Sequence, residues 1–175
     1  MKEELVEERV VLVDENDCEL GTMEKMEAHQ KALLHRAISV FIINSEGEWL
    51  LQRRALHKYH SSGLWSNSAC THPRPGETYL EAAHRRLKEE MGMECELKDL
   101  FNFIYKEKLD NELTEHELDH VFVGYSDEIP NFNPDEVCDY KYISFNDLKN
   151  DIHANPNDYT FWFKHVLDNV QKHLK

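Results

Sequence analysis

Residues 71–93 read THPRPGETYLEAAHRRLKEEMGM, a polar loop that runs into an amphipathic segment. Apolar side chains recur in this segment at three- and four-residue steps, at Leu80, Ala83, Leu87 and Met91. The spacing predicts a helix over about 77–91. Gly92 follows, where a left-handed C-terminal cap belongs. We therefore expect a loop and then one long helix in the middle of the chain.

Strand-like runs lie on both sides of this helix. They are apolar segments bounded by polar turns, at 9–13, 37–44, 48–53, about 65–70, 97–106, 116–125 and 138–143. Further helical signals are found at 23–34, at a capping box formed by Ser144 with Asp147, and at 158–173. Because strands outnumber helices, we expect an α+β domain in which a sheet is layered against helices.

The chain length bounds the number of domains. At roughly 150 residues per domain, 175 residues fit a single domain. No internal repeat or Ser/Gly-rich linker divides residues 1–175. About residues 1–35 are expected to form an N-terminal extension that packs on the core, and the last helical segment is expected to close the domain.

The overall charge is strongly acidic. With 20 Lys and Arg against 34 Asp and Glu, the formal net charge is −14. Such a surface repels phosphate backbones, so nucleic-acid binding is not expected. If the protein binds an anionic ligand, its positive charge must be local.

No membrane or export signal is apparent. The longest apolar runs have about four residues against the roughly 20 that span a bilayer, and the N-terminus lacks the apolar run of a signal peptide. The cysteines are widely spaced and form no C-x-x-C pair, which fits reduced thiols in a cytoplasmic protein. They are Cys18, Cys70, Cys95 and Cys138.

The mid-chain segment resembles the Nudix box, a loop–helix–loop whose carboxylates hold a divalent cation against a diphosphate. Glu77 is followed by seven residues and then by RRLKEEMGM. Thr71 replaces the usual first Gly, and Arg86 replaces a Glu that helps Nudix hydrolases hold metal. Arg86 therefore argues against hydrolysis and places a cation beside the diphosphate. The alternative is a surface helix with an Arg86–Glu90 pair worth about 0.3–0.5 kcal/mol.

Cys70 and His72 precede the predicted helix. Being two residues apart, they face the same side of an extended segment. A lone cysteine is usually a small core residue. Beside a metal-binding box, however, a nearby cation is expected to lower the pKa of the thiol from about 8.5.

Residues 115–120, EHELDH, contain two competing candidate metal pairs. On a strand, Glu115 and Glu117 point to one face, and His116 and His120 point to the other. On a helix, the two histidines would instead lie together. The β-branched and aromatic residues that follow favour a strand. Paired glutamates on a strand are also compatible with a solvated edge.

His29 and His35 are six residues apart. On one helix they would be separated by about 240° around the axis. They can converge only if a helix ends between them and His35 begins the next strand.

Together these segments resemble the type 1 isopentenyl-diphosphate isomerases, enzymes of isoprenoid biosynthesis with a Nudix fold. The similarity covers roughly residues 9–170. It is carried by RRALHKYHSSGLWSNSACTHP at 53–73, the modified box, EHE at 115–117 and YTFWF at 159–163. The resemblance implies a Nudix-type mixed sheet layered with helices, an added N-terminal strand segment and a C-terminal helix.

The resemblance also implies two cation sites and a phosphate grip. One divalent metal, suited to Mn²⁺, Zn²⁺ or Fe²⁺, would be bound by His29, His35, His72, Glu115 and Glu117. Glu90 would reach a Mg²⁺ ion that arrives with the diphosphate. The phosphates would be held by Lys25, Arg54, Lys58 and Arg86.

The implied reaction is the reversible conversion of isopentenyl diphosphate to dimethylallyl diphosphate through a tertiary carbocation. Cys70 and Glu117 would be the two proton-transfer groups. For the forward direction we expect Glu117 to donate, assisted by Tyr105 and the metal, and Cys70 to accept. Trp162 would stack on the cationic carbon, worth up to about 2 kcal/mol. Trp65 is also expected near the pocket, with the N-terminal segment closing it against water.

Two alternatives remain open at this point. One is a Nudix diphosphohydrolase, and the other is a non-catalytic module that binds metal or diphosphate. The expected partner is a small prenyl diphosphate, with no nucleic acid or membrane. The expected assembly is a monomer or weak dimer.

Overall fold

The computed structural model describes residues 8–58, 61–109 and 112–174. The strands are β1 (Arg9–Val13), β2 (Glu19–Glu24), β3 (His35–Ile43), β4 (Trp49–Arg54), β5 (Trp65–Ser66), β6 (Ala69–Thr71), β7 (Leu97–Lys108), β8 (Thr114–Tyr125) and β9 (Val137–Ile143). The helices are α1 (Lys25–Lys31), α2 (Tyr79–Met91), α3 (Phe145–Ala154) and α4 (Phe161–Leu174), with a 3₁₀ turn at Pro156–Asp158.

The strands form a mixed sheet in which β3 is central. β3 pairs in parallel with β8 over nine residues, from His35 opposite Glu117 to Ile43 opposite Tyr125. It also pairs antiparallel with β1, β4 and β6. β7 pairs antiparallel with β8, and β9 with β4. The register of β3 against β8 brings the histidine region directly beside the acidic region.

Side-chain alternation on β3 builds a core on each face of the sheet. Ile38 and Val40 belong to a cluster with the buried residues of α2. Phe41 and Ile43 belong to a second cluster with the apolar residues of α4. The domain is therefore a helix–sheet–helix layering, as the α+β prediction required.

Helix α2 begins and ends as its sequence predicts. Thr78 caps the start by accepting a hydrogen bond from the backbone N–H of Glu81. Gly92 ends the helix with φ +61°, and its N–H donates to the carbonyl of Lys88. The positive φ of Gly92 already disfavours a side chain. In addition, a Cβ at Gly92 would lie 2.3 Å from the backbone oxygen of Asn131.

The described part of the N-terminal extension differs from the prediction. β2 occupies residues that were not predicted as a strand, and it pairs along β1. The helix predicted over 23–34 is limited to α1, which ends at Ala32 in the left-handed conformation with φ 56°. Glu24 caps it by accepting from two backbone N–H groups. Residues 1–7 of the predicted extension lie outside the described residues.

Two other boundaries differ from expectation. The segment predicted as one strand near 65–70 forms the two short strands β5 and β6, which pair with different neighbours. The closing helix starts at Phe161 rather than near 158, because the 3₁₀ turn precedes it. Among the helices of the described chain, none has both the length and the apolar character that a bilayer crossing demands.

Candidate active site

The predicted site residues converge on one small cavity of about 100 Å³. Nine of them line it directly: Lys25, Arg54, Lys58, Cys70, His72, Arg86, Glu115, Glu117 and Trp162. The other predicted residues, His29, His35, Glu90 and Tyr105, contact these residues from behind. The wall also includes Ser39 and Asp119, which sequence reasoning did not select.

Strand β8 supplies the acidic wall of the cavity. Glu115, Glu117 and Asp119 alternate along it, and all three are buried. Val121 and Val123 continue the same face into the α4 cluster. The two histidines of EHELDH, His116 and His120, point to the opposite face. A ring nitrogen of His116 lies 3.0 Å from the carbonyl oxygen of Ala32, and one of His120 lies 2.9 Å from a carboxylate oxygen of Asp99. The strand interpretation of EHELDH is therefore confirmed.

Three imidazoles meet one carboxylate of this wall, that of Glu117. Ligand atoms of His29, His35, His72 and Glu117 all lie within 4.8 Å of one another. Helix α1 ends between His29 and His35, and His35 begins β3, so the two side chains converge as the sequence required. His72 follows β6, and its Nε2 lies 3.0 Å from Oε1 of Glu117.

The arrangement fits a divalent transition metal. Nδ1 of His29 contacts the carbonyl oxygen of Lys25 at 2.7 Å, and Nδ1 of His35 contacts that of Leu33 at 2.8 Å. These contacts orient the rings with Nε2 free to ligate, as outer partners of metal-binding histidines do. Nε2 of His35 is buried and has no hydrogen-bond partner among the described residues. Such a nitrogen is costly unless it has a ligand.

Burial also favours the neutral form of two of these imidazoles, those of His29 and His72. It lowers the pKa of His72 to about 4 and that of His29 below its ordinary value. Burial alone would raise the pKa of Glu117, but its contacts with His35 and His72 more than offset this and lower it. Neutral imidazoles beside an ionised carboxylate form the donor set that a metal ion requires.

Glu115 lies outside this four-residue group. Its carboxylate lines the cavity and accepts a hydrogen bond of 3.1 Å from the hydroxyl of Tyr105. Burial, together with the nearby charge of Glu117, raises the pKa of Glu115 well above its usual range. Its ligation of metal stays a prediction, whereas its contact with Tyr105 links two predicted site residues.

Cys70 differs from expectation in its acidity. Burial raises the pKa of its thiol, and the nearby Asp119 and Glu90 carboxyl groups raise it further. The expectation that a nearby cation lowers the pKa of Cys70 is therefore wrong. The sulfur contacts the side-chain amide of Asn67 at 3.2 and 3.3 Å, and it lies 3.9 Å from the hydroxyl of Ser39.

Asp119 is the acidic residue that sequence reasoning missed. Its Oδ2 accepts a hydrogen bond of 2.8 Å from Ser39, while its buried Oδ1 has no partner among the described residues. Burial raises its pKa well above the usual value. The alternation that selected Glu115 and Glu117 continues to this position, so one further step along β8 would have found it.

The four predicted phosphate-binding cations stand at the cavity wall. Lys25 pairs with Glu8, and Arg54 lies over the ring of Trp162 at 5.3 Å. Lys58 and Arg86 both contact one oxygen of Glu136. The cations come from three segments of the chain: α1, the end of β4 with the loop after it, and α2. Because all four line one cavity, they concentrate positive charge locally in a chain whose net charge is −14.

Glu90 is buried under Arg86. One carboxylate oxygen lies 3.0 Å from Nε of Arg86 and accepts from the backbone N–H of Cys70, and the other accepts from Gln52 at 3.1 Å. Burial raises its pKa despite these contacts. The Arg86–Glu90 pair of the surface-helix alternative thus exists, but it lies beside the cavity.

The two tryptophans have different positions. Trp162 lines the cavity and is largely buried, as expected. Trp65 is not among the residues that line the cavity, and its ring lies 4.3 Å from the ammonium of Lys141. It packs against the same apolar cluster as Trp162, and its place near the pocket stays a prediction.

The described N-terminal residues line a cleft next to the cavity. A second cleft, of about 620 Å³, shares Lys25, Thr71, His72 and Arg86 with the cavity. Glu8, Arg9 and Val10 form part of its wall. The described start of the chain thus lies beside the site, and closure of the pocket by the N-terminal segment stays a prediction.

The fold and the site define the class of this protein. Residues 33–163 match the NUDIX domain family. The crystal structure of DR0079 from Deinococcus radiodurans superposes with a TM-score of 0.77 at 23% identity, covering 93% of this chain and 98% of that one. The MutT protein from Methanosarcina mazei superposes with a TM-score of 0.66 at 19% identity, covering 81% and 96%. These structures establish the Nudix fold.

Proteins with similar sequences identify one family within the Nudix class. A Pectobacterium atrosepticum protein named isopentenyl-diphosphate Delta-isomerase is 55% identical over 155 residues, covering 89% of this chain and 87% of its own. An Aromatoleum aromaticum protein named isopentenyl-diphosphate Delta-isomerase 2 is 51% identical over 165 residues, covering 94% and 87%. The chain belongs to the isopentenyl-diphosphate Delta-isomerase family, which confirms the resemblance drawn from its motifs.

Proposed function

We propose that this chain interconverts isopentenyl diphosphate and dimethylallyl diphosphate, with Cys70 and Glu117 as the proton-transfer pair. The observation that carries the proposal is that both side chains line one cavity of about 100 Å³, so a five-carbon chain between them would meet both. Family membership supports the reaction, and the geometry supports the residues.

The reaction needs two proton transfers and no net change in composition. In the forward direction, a proton is added to the terminal alkene carbon, and a tertiary carbocation forms. Loss of a proton from the carbon nearer the diphosphate then gives the internal alkene. We assign Glu117 as the forward donor, with Tyr105 acting through Glu115, and Cys70 as the acceptor. The raised pKa of Cys70 and the lowered pKa of Glu117 favour a protonated thiol and an ionised carboxylate, which would be the starting state of the reverse reaction.

A metal ion belongs to this site. We assign His29, His35, His72 and Glu117 as ligands of one Mn²⁺ or Zn²⁺, with Glu115 as the fifth ligand implied by the family. When bound, the ion would supply positive charge that fixes Glu117 and acidifies a proton on its carboxyl group.

The diphosphate is assigned to the cation-bearing wall. Lys25, Arg54, Lys58 and Arg86 would hold its oxygens, and Glu90 would hold the accompanying Mg²⁺. The hydrocarbon would then point toward Cys70 and Glu117. Trp162 would face the carbocation, and the small cavity would exclude the water that otherwise captures it.

The decisive experiment is NMR of isopentenyl diphosphate with the protein in D₂O and Mg²⁺. Deuterium entering the methyl carbons as the double bond shifts would identify the reaction and its proton transfers. Release of inorganic phosphate without isomerisation would instead indicate a diphosphohydrolase. Tight diphosphate binding with neither product would indicate a non-catalytic module.

We further infer a cytoplasmic enzyme that acts as a monomer or weak dimer on a small prenyl diphosphate, without nucleic acid or membrane. The strongly negative net charge supports the exclusion of nucleic acid. Sedimentation at micromolar concentration would test the assembly.

A further inference from the structure

Glu136 occupies an unusual position at the cation-bearing wall. One of its carboxylate oxygens, Oε2, contacts both Lys58 and Arg86, the latter at 3.0 Å. The side chains of Glu136, Lys58 and Arg86 are only 24%, 17% and 18% exposed. The carboxylate therefore bridges two cations that the proposed function assigns to the diphosphate.

The backbone around Glu136 is attached on two sides. Its carbonyl accepts from the N–H of Ala55, just after β4. Its own N–H donates to the carbonyl of Asn133, whose N–H in turn donates to the carbonyl of Glu90 on α2. The turn thus joins the end of β4, which leads to Lys58, to the helix that carries Arg86. The backbone that carries the Glu136 carboxylate is therefore held by both elements.

The two cations keep donors for a ligand. Arg86 uses Nε for Glu90 and the carbonyl of Cys70. One terminal nitrogen contacts Glu89 at 3.5 Å and the other contacts Glu136, but each carries two N–H groups, so one on each is left for a ligand. Lys58 has three N–H donors and needs one for Glu136. Diphosphate oxygens can therefore bind both cations while the bridge stays in place.

We propose that Glu136 is a positioning residue, whose bridge between Lys58 and Arg86 orders the diphosphate-binding site before substrate arrives. The bridge offsets the repulsion between two closely placed cations and restricts two long side chains. The conformational cost of ordering them is then met during folding rather than on binding. This inference rests on the proposed function, because that function assigns the two cations to the diphosphate.

The test compares three forms of the full-length protein: wild type, Glu136→Gln and Asp135→Asn. The Asp135→Asn control removes the same charge from the same turn, but its exposed carboxylate makes no ion pair among the described residues. We expect Glu136→Gln to raise the KM for isopentenyl diphosphate about tenfold and to change kcat less than about twofold. Asp135→Asn should match wild type in both constants.

Calorimetric binding of inorganic diphosphate with Mg²⁺ gives a second readout that needs no turnover. Glu136→Gln should weaken this binding by the same factor of about ten. Unchanged binding, or tighter binding as expected if Glu136 competes with the ligand, would overturn the inference and leave the isomerase proposal intact. Diphosphate binding by a wild-type protein that does not isomerise would instead overturn the proposed function.

Glu136→Asp covers the case in which the glutamine variant does not fold. It keeps the charge but withdraws the carboxylate by one methylene, so it cannot reach both cations equally. Its diphosphate affinity should fall between those of wild type and Glu136→Gln. Where the glutamine variant is unfolded, the affinity of Glu136→Asp should be at least about threefold lower than that of wild type. An affinity equal to that of wild type would contradict a positioning role.

Discussion

Cys70 is the side chain whose removal should separate catalysis from binding. Its sulfur lines the cavity, whereas the diphosphate contacts are assigned to cations on other segments. We expect Cys70→Ala to lower kcat by about 10²–10⁴-fold, the usual contribution of a proton-transfer group. Binding of inorganic diphosphate with Mg²⁺ should change less than about twofold.

The matched control for this prediction is Cys18→Ala, which removes an exposed thiol from the turn between β1 and β2. It should leave both kcat and binding unchanged. Turnover near the wild-type value in Cys70→Ala, measured by the same NMR assay, would exclude Cys70 as a proton-transfer group.

Single residues also show which features of the site can be predicted from the sequence alone. The alternation of Glu115 and Glu117 is a local property of a strand, so it could be predicted. The contact of Asp119 with Ser39 joins residues 80 positions apart, and the contact of Glu136 with Lys58 joins residues 78 apart. Such partners depend on sheet topology, for which the sequence carries no local signal.

At the scale of elements, the ion pair of Glu77 and Arg85 attaches the loop to α2. Nε of Arg85 donates to Glu77 at 2.8 Å, and a second nitrogen donates to the other oxygen at 2.9 Å. Burial alone would raise the pKa of Glu77, but Arg85 more than offsets it, so the pKa lies below 4.5. An acid with a lowered folded pKa stabilises above its unfolded pKa and loses that contribution as pH falls through the folded value.

We therefore expect Glu77→Gln to lower the free energy of unfolding at pH 7 by about 1.5–3 kcal/mol. The difference from wild type should shrink as pH falls below 4.5. Denaturant unfolding at several pH values measures it. Glu94→Gln, which removes a largely exposed partner of Lys88, should cost at most about 1 kcal/mol. A pH-independent effect of Glu77→Gln would contradict the ionic origin.

Gly92 gives a second prediction for α2. Gly92→Ala should destabilise the protein in two ways, through its left-handed conformation at about 1–2 kcal/mol and through a 2.3 Å approach to Asn131. Gly47→Ala is the control, because Gly47 has φ +78° but no atom within 4 Å of an added Cβ. Thermal unfolding should show a larger loss of stability for Gly92→Ala than for Gly47→Ala. Equal losses of stability would mean that the backbone near Asn131 shifts to accommodate the added methyl group.

Elements were predictable where the signal lies in neighbouring residues. The helix cap at Gly92 and the break between His29 and His35 are of this kind. β2 was not predictable, because none of its residues is buried and it carries little apolar alternation. Its strand conformation comes from pairing along β1. The contact of Trp65 with Lys141 was not predictable for a similar reason, since Lys141, the cation on its ring, comes from β9.

On the scale of the whole molecule, the His/Glu group joins α1, β3, the residue after β6, and β8. A metal that binds only the folded state should therefore stabilise the entire domain. At 100 times its dissociation constant an ion contributes about 2.7 kcal/mol. For a chain of this size that corresponds to an increase in Tm of roughly 5–10 °C.

We expect Mn²⁺ or Zn²⁺ to produce this increase in chelator-treated protein, measured by calorimetry. His72→Ala should abolish it. His84→Ala, which removes an exposed histidine of α2, should leave it unchanged. An increase of equal size in His72→Ala would mean that the ion binds elsewhere.

The parallel pairing of β3 with β8 has a consequence for how the living cell makes this protein. By the time the ribosome has added residue 72, all three histidines of the group have been synthesised. The carboxylate that completes the group belongs to Glu117, which lies opposite His35. A growing chain on the ribosome therefore carries an incomplete set of ligands until about two thirds of it has been translated. With the ligand set proposed above, full coordination of the ion would await release of β8 from the exit tunnel, when β8 can pair with β3.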